Sequence, residues 1–144
     1  MSGEEAVREQ NVKAVHRFFS DDYARARRDM WHDDVVFELP FERGGRVVFK
    51  GREALLARTQ RSHQTWKEFR FKDLVVYPTT DPELFFVQHT TEGVATPEEG
   101  GHKITTEHIS MLRFKDGKVV HRVEYQNPLD WEWWRAEAPS KRGS

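Results

Sequence analysis

Hydrophobic residues follow two different periods along this chain, and the change of period separates helical segments from strands. Near the start, apolar residues recur at helical spacing with charges between them, which predicts an amphipathic helix from Glu4 to Ser20. Ser20, followed by two aspartates, has the chemistry of the N-cap of a second helix that ends near Met30. A third helix is predicted from Arg52 to about Trp66.

After the third helix, apolar and polar residues alternate with period two, which predicts four strands, and two strand-type segments joined by the Gly44-Gly45 turn predict two more before that helix. These strands run from Val35 to Leu39, Arg46 to Lys50, Phe69 to Tyr77, Leu84 to Ala95, Lys103 to Lys115 and Lys118 to Gln126. Asp116-Gly117, between the last two strands, is a strong hairpin signal because both residues tolerate positive φ. Helices first and a meander last predict an α+β domain, with the helices packed on one face of a curved, mostly antiparallel sheet.

The length of 144 residues fits one domain. We expect that domain to span residues 1–135 and a loose tail to occupy 136–144. The aromatic segment from Trp131 to Trp134 is expected to pack on the sheet or on a partner subunit.

Charge and composition exclude several classes of function. The formal net charge is -1 with acids and bases interspersed, so neither a nucleic-acid partner nor an anionic membrane surface is expected. Cysteine is absent, which removes disulfides, thiolate metal sites and cysteine nucleophiles. The first residues lack a basic and apolar leader, and no apolar run reaches membrane-spanning length, so a soluble cytoplasmic protein is expected.

The seven histidines do not form a recognisable metal site. No pair of them is spaced i, i+3 or i+4 on a predicted helix, so we expect no metal ion. The Gly-x-Ser-x-Gly motif of serine hydrolases is absent, and the paired glycines lie in hairpins rather than before helices. We therefore expect neither a serine nucleophile nor a bound cofactor.

Titratable residues within the last two strands remain as candidates for chemistry. On the last strand, Arg122, Glu124 and Gln126 share one face, and alternation alone would bury the opposite, more apolar face. By this pattern Glu124 is one more solvated charge. On the preceding strand the same alternation turns His108 and Ser110 inward.

Three segments of the chain carry a family resemblance. They are Trp31-His32-Asp33-Asp34-Val35-Val36-Phe37-Glu38-Leu39-Pro40, Phe49-Lys50-Gly51 before a helix, and Glu124-Tyr125-Gln126-Asn127-Pro128-Leu129. With the order of the elements, these segments resemble the NTF2-like, SnoaL-like superfamily of small-molecule enzymes, and most closely the phenazine-biosynthesis PhzA/PhzB-like proteins. The resemblance implies an NTF2-like cone, a cystatin-like α+β roll in which three helices pack on a strongly curved sheet and enclose a pocket.

The resemblance also implies roles for residues of the last strand. In this family the glutamate of the Glu-aromatic-x-Asn-Pro motif faces the cavity and acts as an acid/base, so Glu124 inherits that role. Arg122 and Gln126 would then face the cavity too. Val123 and Tyr125 would lie on the convex face, where these folds commonly form homodimers.

Further pocket residues are implied on the helices and the other strands. Arg61 and Thr65 fall where the phenazine proteins line their pocket, although the family pattern prefers a histidine at the first of these positions. The base, tyrosine and aspartate of ketosteroid isomerase, an enzyme with this fold, correspond to Leu39, Phe18 and Ser110, so that apparatus is absent here. The expected catalytic residues are Glu124, His108 and Arg122, and the expected substrate-binding residues are Phe18, Phe37, Leu39, Arg61, Thr65, Trp66, His89, Ser110 and Gln126.

The function implied by the resemblance is that of a cofactor-independent acid/base enzyme of specialised metabolism. It would condense, cyclise or isomerise a small organic substrate that carries a carbonyl or imine group. Desolvation would disfavour the charged form of Glu124, and Arg122 or His108 would partly restore it, which leaves a proton shuttle near neutral pH. Arg61 or Arg122 would bind a substrate carboxylate. The alternatives are a ligand-binding module without catalysis and a structural dimer in which Glu124 lies on the outer face.

Overall fold

A computed structural model of the protein describes residues 2–131, which form three α-helices and six β-strands. These elements are α1 Gly3–Phe18, α2 Tyr23–Met30, β1 Trp31–Leu39, β2 Val47–Lys50, α3 Arg52–Thr65, β3 Trp66–Pro78, β4 Leu84–Ala95, β5 Lys103–Lys115 and β6 Lys118–Gln126. The predicted order of elements is confirmed, and the predicted limits of the last three strands are those observed. Within residues 2–131, no helix is long and apolar enough to cross a membrane.

The six strands form one sheet in the order β2-β1-β6-β5-β4-β3. Only β1 and β6 pair in parallel within this sheet, and the other neighbours are antiparallel. The sheet is therefore mixed and open, which confirms the prediction of a mostly antiparallel sheet in an α+β domain. The pairing of β1 with β6 joins the first strand to the last and places the last strand near the centre of the sheet.

The starts of α2 and β1 differ from the sequence prediction. Ser20 is not an N-cap, because its Oγ donates a hydrogen bond to the carbonyl oxygen of Arg17 at 2.8 Å and α2 begins three residues later, at Tyr23. The helix passes directly into β1 at Trp31, four residues before the predicted strand start at Val35. The side chain that caps a helix is instead Ser2, whose Oγ accepts a hydrogen bond from the Glu5 amide at 3.0 Å.

The helices cover one face of the sheet and bury an aromatic core against it. In α1, Asn11, Val15 and Phe18 are buried because spacings of four and three residues place them on one helical face. The Asn11 amide donates to the carbonyl oxygen of Pro82 at 3.1 Å, which ties the helix to the loop between β3 and β4. The largest fully buried side chains of the core are those of Phe18, Phe37, Phe85, Phe114, Leu55 and Leu112.

A β-bulge in the last hairpin decides which face of β6 is buried. Asp116 and Gly117 both have positive φ, as the predicted tight turn requires. Phe114 pairs with Val119, but Arg113 pairs with His121, so Val120 is an extra residue on β6. The bulge reverses the alternation, and both Arg122 and Glu124 are buried, with 4% and 7% of their surface exposed. The placement of Glu124 in solvent by simple alternation is therefore wrong, and the orientation implied by the family resemblance is confirmed.

Gly93 on β4 makes room for a large aromatic side chain. A Cβ atom at this position would lie 2.9 Å from two ring atoms of Trp66 and 3.3 Å from a ring atom of Phe69. These distances are shorter than van der Waals contact, so any side chain at this position would force the Trp66 ring to move.

We predict that Gly93→Ala destabilises the fold by about 1–3 kcal/mol, because the added methyl group displaces the Trp66 ring. Denaturant unfolding with tryptophan fluorescence measures both the stability and the ring environment. Gly3→Ala is the control, since a Cβ there meets nothing within 4 Å. Equal stabilities of the two variants would contradict the steric argument.

Candidate active site

A cavity of about 150 Å³ lies between the helices and the inner face of the sheet. Its apolar walls are formed by Tyr23, Trp31, Phe37, Leu39, Val47, Phe49, Leu55, Trp66, Phe69, Phe71 and Trp131. Its polar lining is formed by Arg27, Glu42, Arg58, Thr59, Ser62, Thr91, His108, Arg122, Glu124 and Gln126. A cavity of this volume accommodates one small ring.

Glu124 lies at the centre of the polar lining, between two basic side chains. Its Oε1 atom is 2.7 Å from Nδ1 of His108 and 3.3 Å from Nη2 of Arg122. The three side chains meet because Arg122 precedes Glu124 by two residues on β6, while His108 lies on the neighbouring strand β5. The oxygen is off the line of an ideal Nδ1–H hydrogen bond, so the contact between Glu124 and His108 is chiefly electrostatic in this state.

The balance of charges keeps Glu124 ionised. Burial alone would raise the pKa of its carboxyl group, but the attraction of Arg122 and His108 outweighs burial and holds that pKa well below its usual range. Glu124 is therefore a carboxylate at neutral pH. The expectation that desolvation brings its titration close to neutrality is wrong, because Arg122 and His108 lie closer to the carboxylate than the sequence could indicate.

Arg122 is buried among aromatic rings. Its guanidinium carbon lies 4.8 Å from the ring centre of Phe37 and 5.2 Å from that of Phe18. Burial lowers the pKa of Arg122, and the Glu124 carboxylate raises it, so the two residues stabilise each other's charged forms. Nη2 also lies 3.5 Å from the Ser110 hydroxyl, at the limit of a hydrogen bond.

His89 stands behind His108 and outside the cavity lining. The two residues are directly opposite each other on β4 and β5, and their rings stack with centres 4.9 Å apart and planes 14° apart. Phe19 and Phe71 cover the rest of the His89 ring, at 4.6 and 5.4 Å between ring centres. Burial lowers the pKa of His89 to about 3, so this imidazole is neutral at neutral pH.

Arg27 is a cavity residue that the sequence reasoning missed. Its Nε donates to the carbonyl oxygen of Phe18 at 2.8 Å, and its guanidinium carbon lies 4.0 Å from the centre of that phenylalanine ring. Its Nη2 atom is buried without a hydrogen-bond partner in the described part of the chain. Helical spacing could have indicated this burial. Arg27 is four residues after Tyr23 and three before Met30, which places it on the buried face of α2.

The predicted site residues divide into a group that lines the cavity and a group that lies behind it. The cavity is lined by Phe37, Leu39, Trp66, His108, Arg122, Glu124 and Gln126. Phe18, Thr65, His89 and Ser110 are buried but outside the lining, and Arg61 is also outside it. On α3 the cavity is reached instead by Arg58, whose guanidinium carbon lies 5.1 Å from the ring centre of Phe37.

One group within residues 2–131 has the composition of a metal site. His89, His108 and Glu124 each offer a ligand atom, and these atoms lie within 4.8 Å of one another. Two parallel, stacked imidazole rings direct their lone pairs into separate planes, so one ion cannot lie in the plane of both. Arg122 also places a positive charge 3.3 Å from the carboxylate oxygen. The arrangement therefore suits a polar or anionic organic group better than a cation.

The buried, neutral His89 makes a prediction about stability and pH. Its pKa is about 3 in the folded protein and 6.5 as an isolated group, so the unfolded chain takes up a proton that the folded protein does not. The contribution of this group to stability is complete above pH 6.5 and falls as the pH drops from 6.5 towards 3. Replacing His89 by Phe should therefore remove about 2 kcal/mol from the loss of stability between pH 7 and 5.

Denaturant unfolding at the two pH values measures this difference. Phe71→Leu is the control, because it disturbs packing on the same imidazole without removing a titrating group, and it should keep the pH dependence of the wild type. A His89→Phe variant with the wild-type pH dependence would contradict the assignment of a neutral buried ring.

Comparison with known proteins shows the family. The model of the SnoaL-like domain family matches residues 4–122. An uncharacterised PhzA/B-like protein of Pseudomonas aeruginosa is 34% identical over 116 residues, which cover 78% of this chain and 79% of that protein. The expected likeness to PhzA/PhzB-like proteins is confirmed.

Solved structures show the same fold at low sequence identity. A phenazine biosynthesis-related protein of Pseudomonas aeruginosa has a TM-score of 0.78 at 19% identity, covering 88% of this chain and 85% of that one. A proposed polyketide cyclase of Xanthomonas campestris pv. campestris has a TM-score of 0.69 at 20% identity, covering 90% and 96%. The predicted NTF2-like fold is confirmed, and the chain belongs to the SnoaL-like family.

Proposed function

We propose that the protein is an acid/base enzyme that needs no cofactor and rearranges a small organic substrate with a carbonyl or imine group. The observation that carries this proposal is the buried carboxylate of Glu124, which touches His108 and Arg122 in a cavity with aromatic walls. A buried charge costs several kcal/mol unless it is paired, and titratable groups in such environments are typical of functional sites.

The family supports a biosynthetic role of the cyclase or isomerase type. Its structural neighbours include proposed polyketide cyclases, and the PhzA/B-like relative links the chain to proteins related to phenazine biosynthesis. Aldol-type condensation or cyclisation and the isomerisation of a carbonyl or imine compound share one step, the removal of a proton next to the unsaturated group. The Glu124–His108 pair would carry out this step.

Arg27 and Arg122 would stabilise the negative charge that develops on the substrate. Both guanidinium groups are buried and line the cavity, where a low dielectric strengthens their effect on an enolate or a carboxylate. Arg122 was expected to bind a substrate carboxylate, and Arg27 is better placed for this than Arg61, which lies outside the cavity lining.

We predict that Glu124→Gln abolishes turnover and leaves ligand binding nearly unchanged. The substitution keeps the shape and removes the charge, so kcat should fall by about 100-fold or more, the usual contribution of acid/base catalysis. The dissociation constant of a substrate analogue, followed by the fluorescence of Trp31 and Trp66, should stay within about threefold because the substitution keeps the cavity shape, its aromatic walls and its arginines. Glu9→Gln, on the exposed face of α1, is the control for the loss of one charge. Unchanged turnover in Glu124→Gln would exclude the proposal.

The second candidate is a binding module that holds a ligand without changing it. The small cavity, with its aromatic walls and several polar groups, would serve this function equally well. Mass spectrometry of ligand incubated with the protein separates the two: an unaltered aromatic ligand after long incubation favours the binding module.

We also propose that the protein is a homodimer formed through the outer face of the sheet. Tyr77, Phe86, Ile109 and Tyr125 lie on strands β3 to β6 and are 49%, 38%, 47% and 37% exposed. Tyr77 pairs with Phe86, and Ile109 pairs with Tyr125, so the residues form two adjoining apolar pairs on the sheet surface. Contiguous exposed apolar residues of this kind are typical of protein interfaces.

We predict that Ile109→Lys converts the dimer to a monomer, because a lysine at the centre of the interface would be buried without a partner. Sedimentation velocity over a range of concentrations measures the change. Val7→Lys, which introduces the same charge at an exposed apolar position on α1, should leave the dimer intact. A monomeric wild type, or a dimeric Ile109→Lys variant, would contradict this interface.

A further inference from the structure

The hydrogen atom between Glu124 and His108 belongs to the imidazole ring. Arg122 and His108 hold the pKa of Glu124 well below its usual range, so its carboxylate can only accept hydrogen bonds. The Oε1 atom is 2.7 Å from Nδ1 of His108. It lies off the line of an Nδ1–H bond, but at this distance a carboxylate would repel a lone pair on Nδ1, so hydrogen on that nitrogen is electrostatically favoured. Glu124 therefore selects the tautomer with hydrogen on Nδ1, and the lone pair of a neutral ring is on Nε2.

The Nε2 atom of His108 has no partner in the structure of residues 2–131. Like Nδ1, it is buried and makes no hydrogen bond there, but Nδ1 has the Glu124 carboxylate at 2.7 Å, and His108 lines the cavity. Unsatisfied buried nitrogen atoms are rare in proteins and require an explanation. A bound substrate would supply the missing partner.

We propose that His108 exchanges the proton with the substrate through Nε2, and that Glu124 is a positioning residue that fixes the imidazole tautomer and balances its charge. This assignment rests on the proposed function and gives the two residues different roles: His108 transfers the proton, and Glu124 positions His108. The logic is that of a catalytic triad, in which a carboxylate orients an imidazole without itself taking the proton.

His89 is a second positioning residue. Its ring is parallel to that of His108 within 14°, and it is held in place by Phe19 and Phe71. Because its own pKa is lowered to about 3 by burial, it contributes a neutral aromatic surface rather than a competing charge. The stack fixes the plane of the His108 ring while Glu124 fixes its rotation within that plane.

The proposed step neither gains nor loses a proton overall. Nε2 takes a proton from the carbon next to the carbonyl or imine group, and the electron pair of the broken C–H bond stays on the substrate as an enolate or enamine. The imidazolium is then faced by the Glu124 carboxylate and Arg122 on β6, neutral His89 on β4 and Arg27 on α2. Return of the same proton to another substrate atom completes an isomerisation without an outside acid or base.

The tautomer can be measured without any knowledge of the substrate. In protein labelled with ¹⁵N-histidine, long-range ¹H–¹⁵N spectra distinguish protonated from unprotonated ring nitrogens, and the His108 signals are assigned by their loss in His108→Gln. We expect Nδ1 of His108 to carry hydrogen throughout the neutral pH range. A His108 ring with unprotonated Nδ1 would overturn the assignment whether or not turnover is found.

Kinetics of the paired variants test the division of labour. If Glu124 acts through His108, His108→Gln and Glu124→Gln should each lower kcat by about 100-fold or more, and the double variant should lose no more than the worse single one. If Glu124 takes the proton directly, His108→Gln should retain turnover within about tenfold and the losses should multiply. Absence of turnover in the wild type would refute the proposed function and leave the tautomer measurement to decide this inference.

Kinetics of His89 variants test the role of its stacking on His108. His89→Leu should lower kcat about tenfold with little change in KM, since a loosely held base is misplaced rather than lost. His89→Phe, which restores an aromatic surface without ring nitrogens, should recover most of that loss. Equal losses in the two variants would show that a nitrogen of His89 takes part directly and would overturn the positioning role.

Discussion

The ionised carboxylate of Glu124, buried beneath the helices, determines how the inner face of the sheet is arranged. An unpaired charge at this depth would cost several kcal/mol, so the fold tolerates it only with Arg122 and His108 in contact. Each of these partners is itself buried and depends on the carboxylate in turn. The three residues are therefore thermodynamically linked, and their effects on stability and on chemistry should not be additive.

The aromatic residues around Glu124 form the walls of the cavity and also contact the guanidinium groups of the buried arginines. The guanidinium carbon of Arg27 lies 4.0 Å from the centre of the Phe18 ring, and that of Arg122 lies 5.2 Å from the same centre. Cation–π contacts of this kind compensate part of the desolvation of the two guanidinium groups, although they supply no negative charge. Close to Glu124 two buried arginines thus share one carboxylate, and the electrostatic imbalance favours a substrate that is anionic or becomes so during reaction.

Much of the fold was predictable because local chemistry and tertiary structure agree. Asp116-Gly117 adopts the turn that its residue types favour, and the period-two segments are strands. The start of α2 was not predictable from capping chemistry, because the Ser20 hydroxyl bonds back to the preceding helix. Arg27 was missed since charged residues on helices usually face solvent, and its burial depends on aromatic side chains from distant segments.

The candidate site was predicted by family resemblance more than by pattern. Alternation alone placed Glu124 in water, because a bulge depends on the pairing partner and is invisible in one strand. The resemblance placed Glu124, Arg122 and Gln126 at the cavity, and all three line it. It could not supply the charge state of Glu124, which depends on the distances to His108 and Arg122.

The bulge at Val120 determines which side chains of β6 face the cavity. If Val120 took part in a regular ladder opposite Arg113, every following residue would move by one position, with Tyr125 turned towards the helices and Glu124 towards the outer surface. Loss of Val120 would instead leave the pairs of Phe114 with Val119 and of Arg113 with His121 next to each other, so Glu124 would still face inward. The site therefore tolerates a shorter hairpin, whereas a slip of the strand that absorbs the bulge would place its charges on the outer face of the sheet.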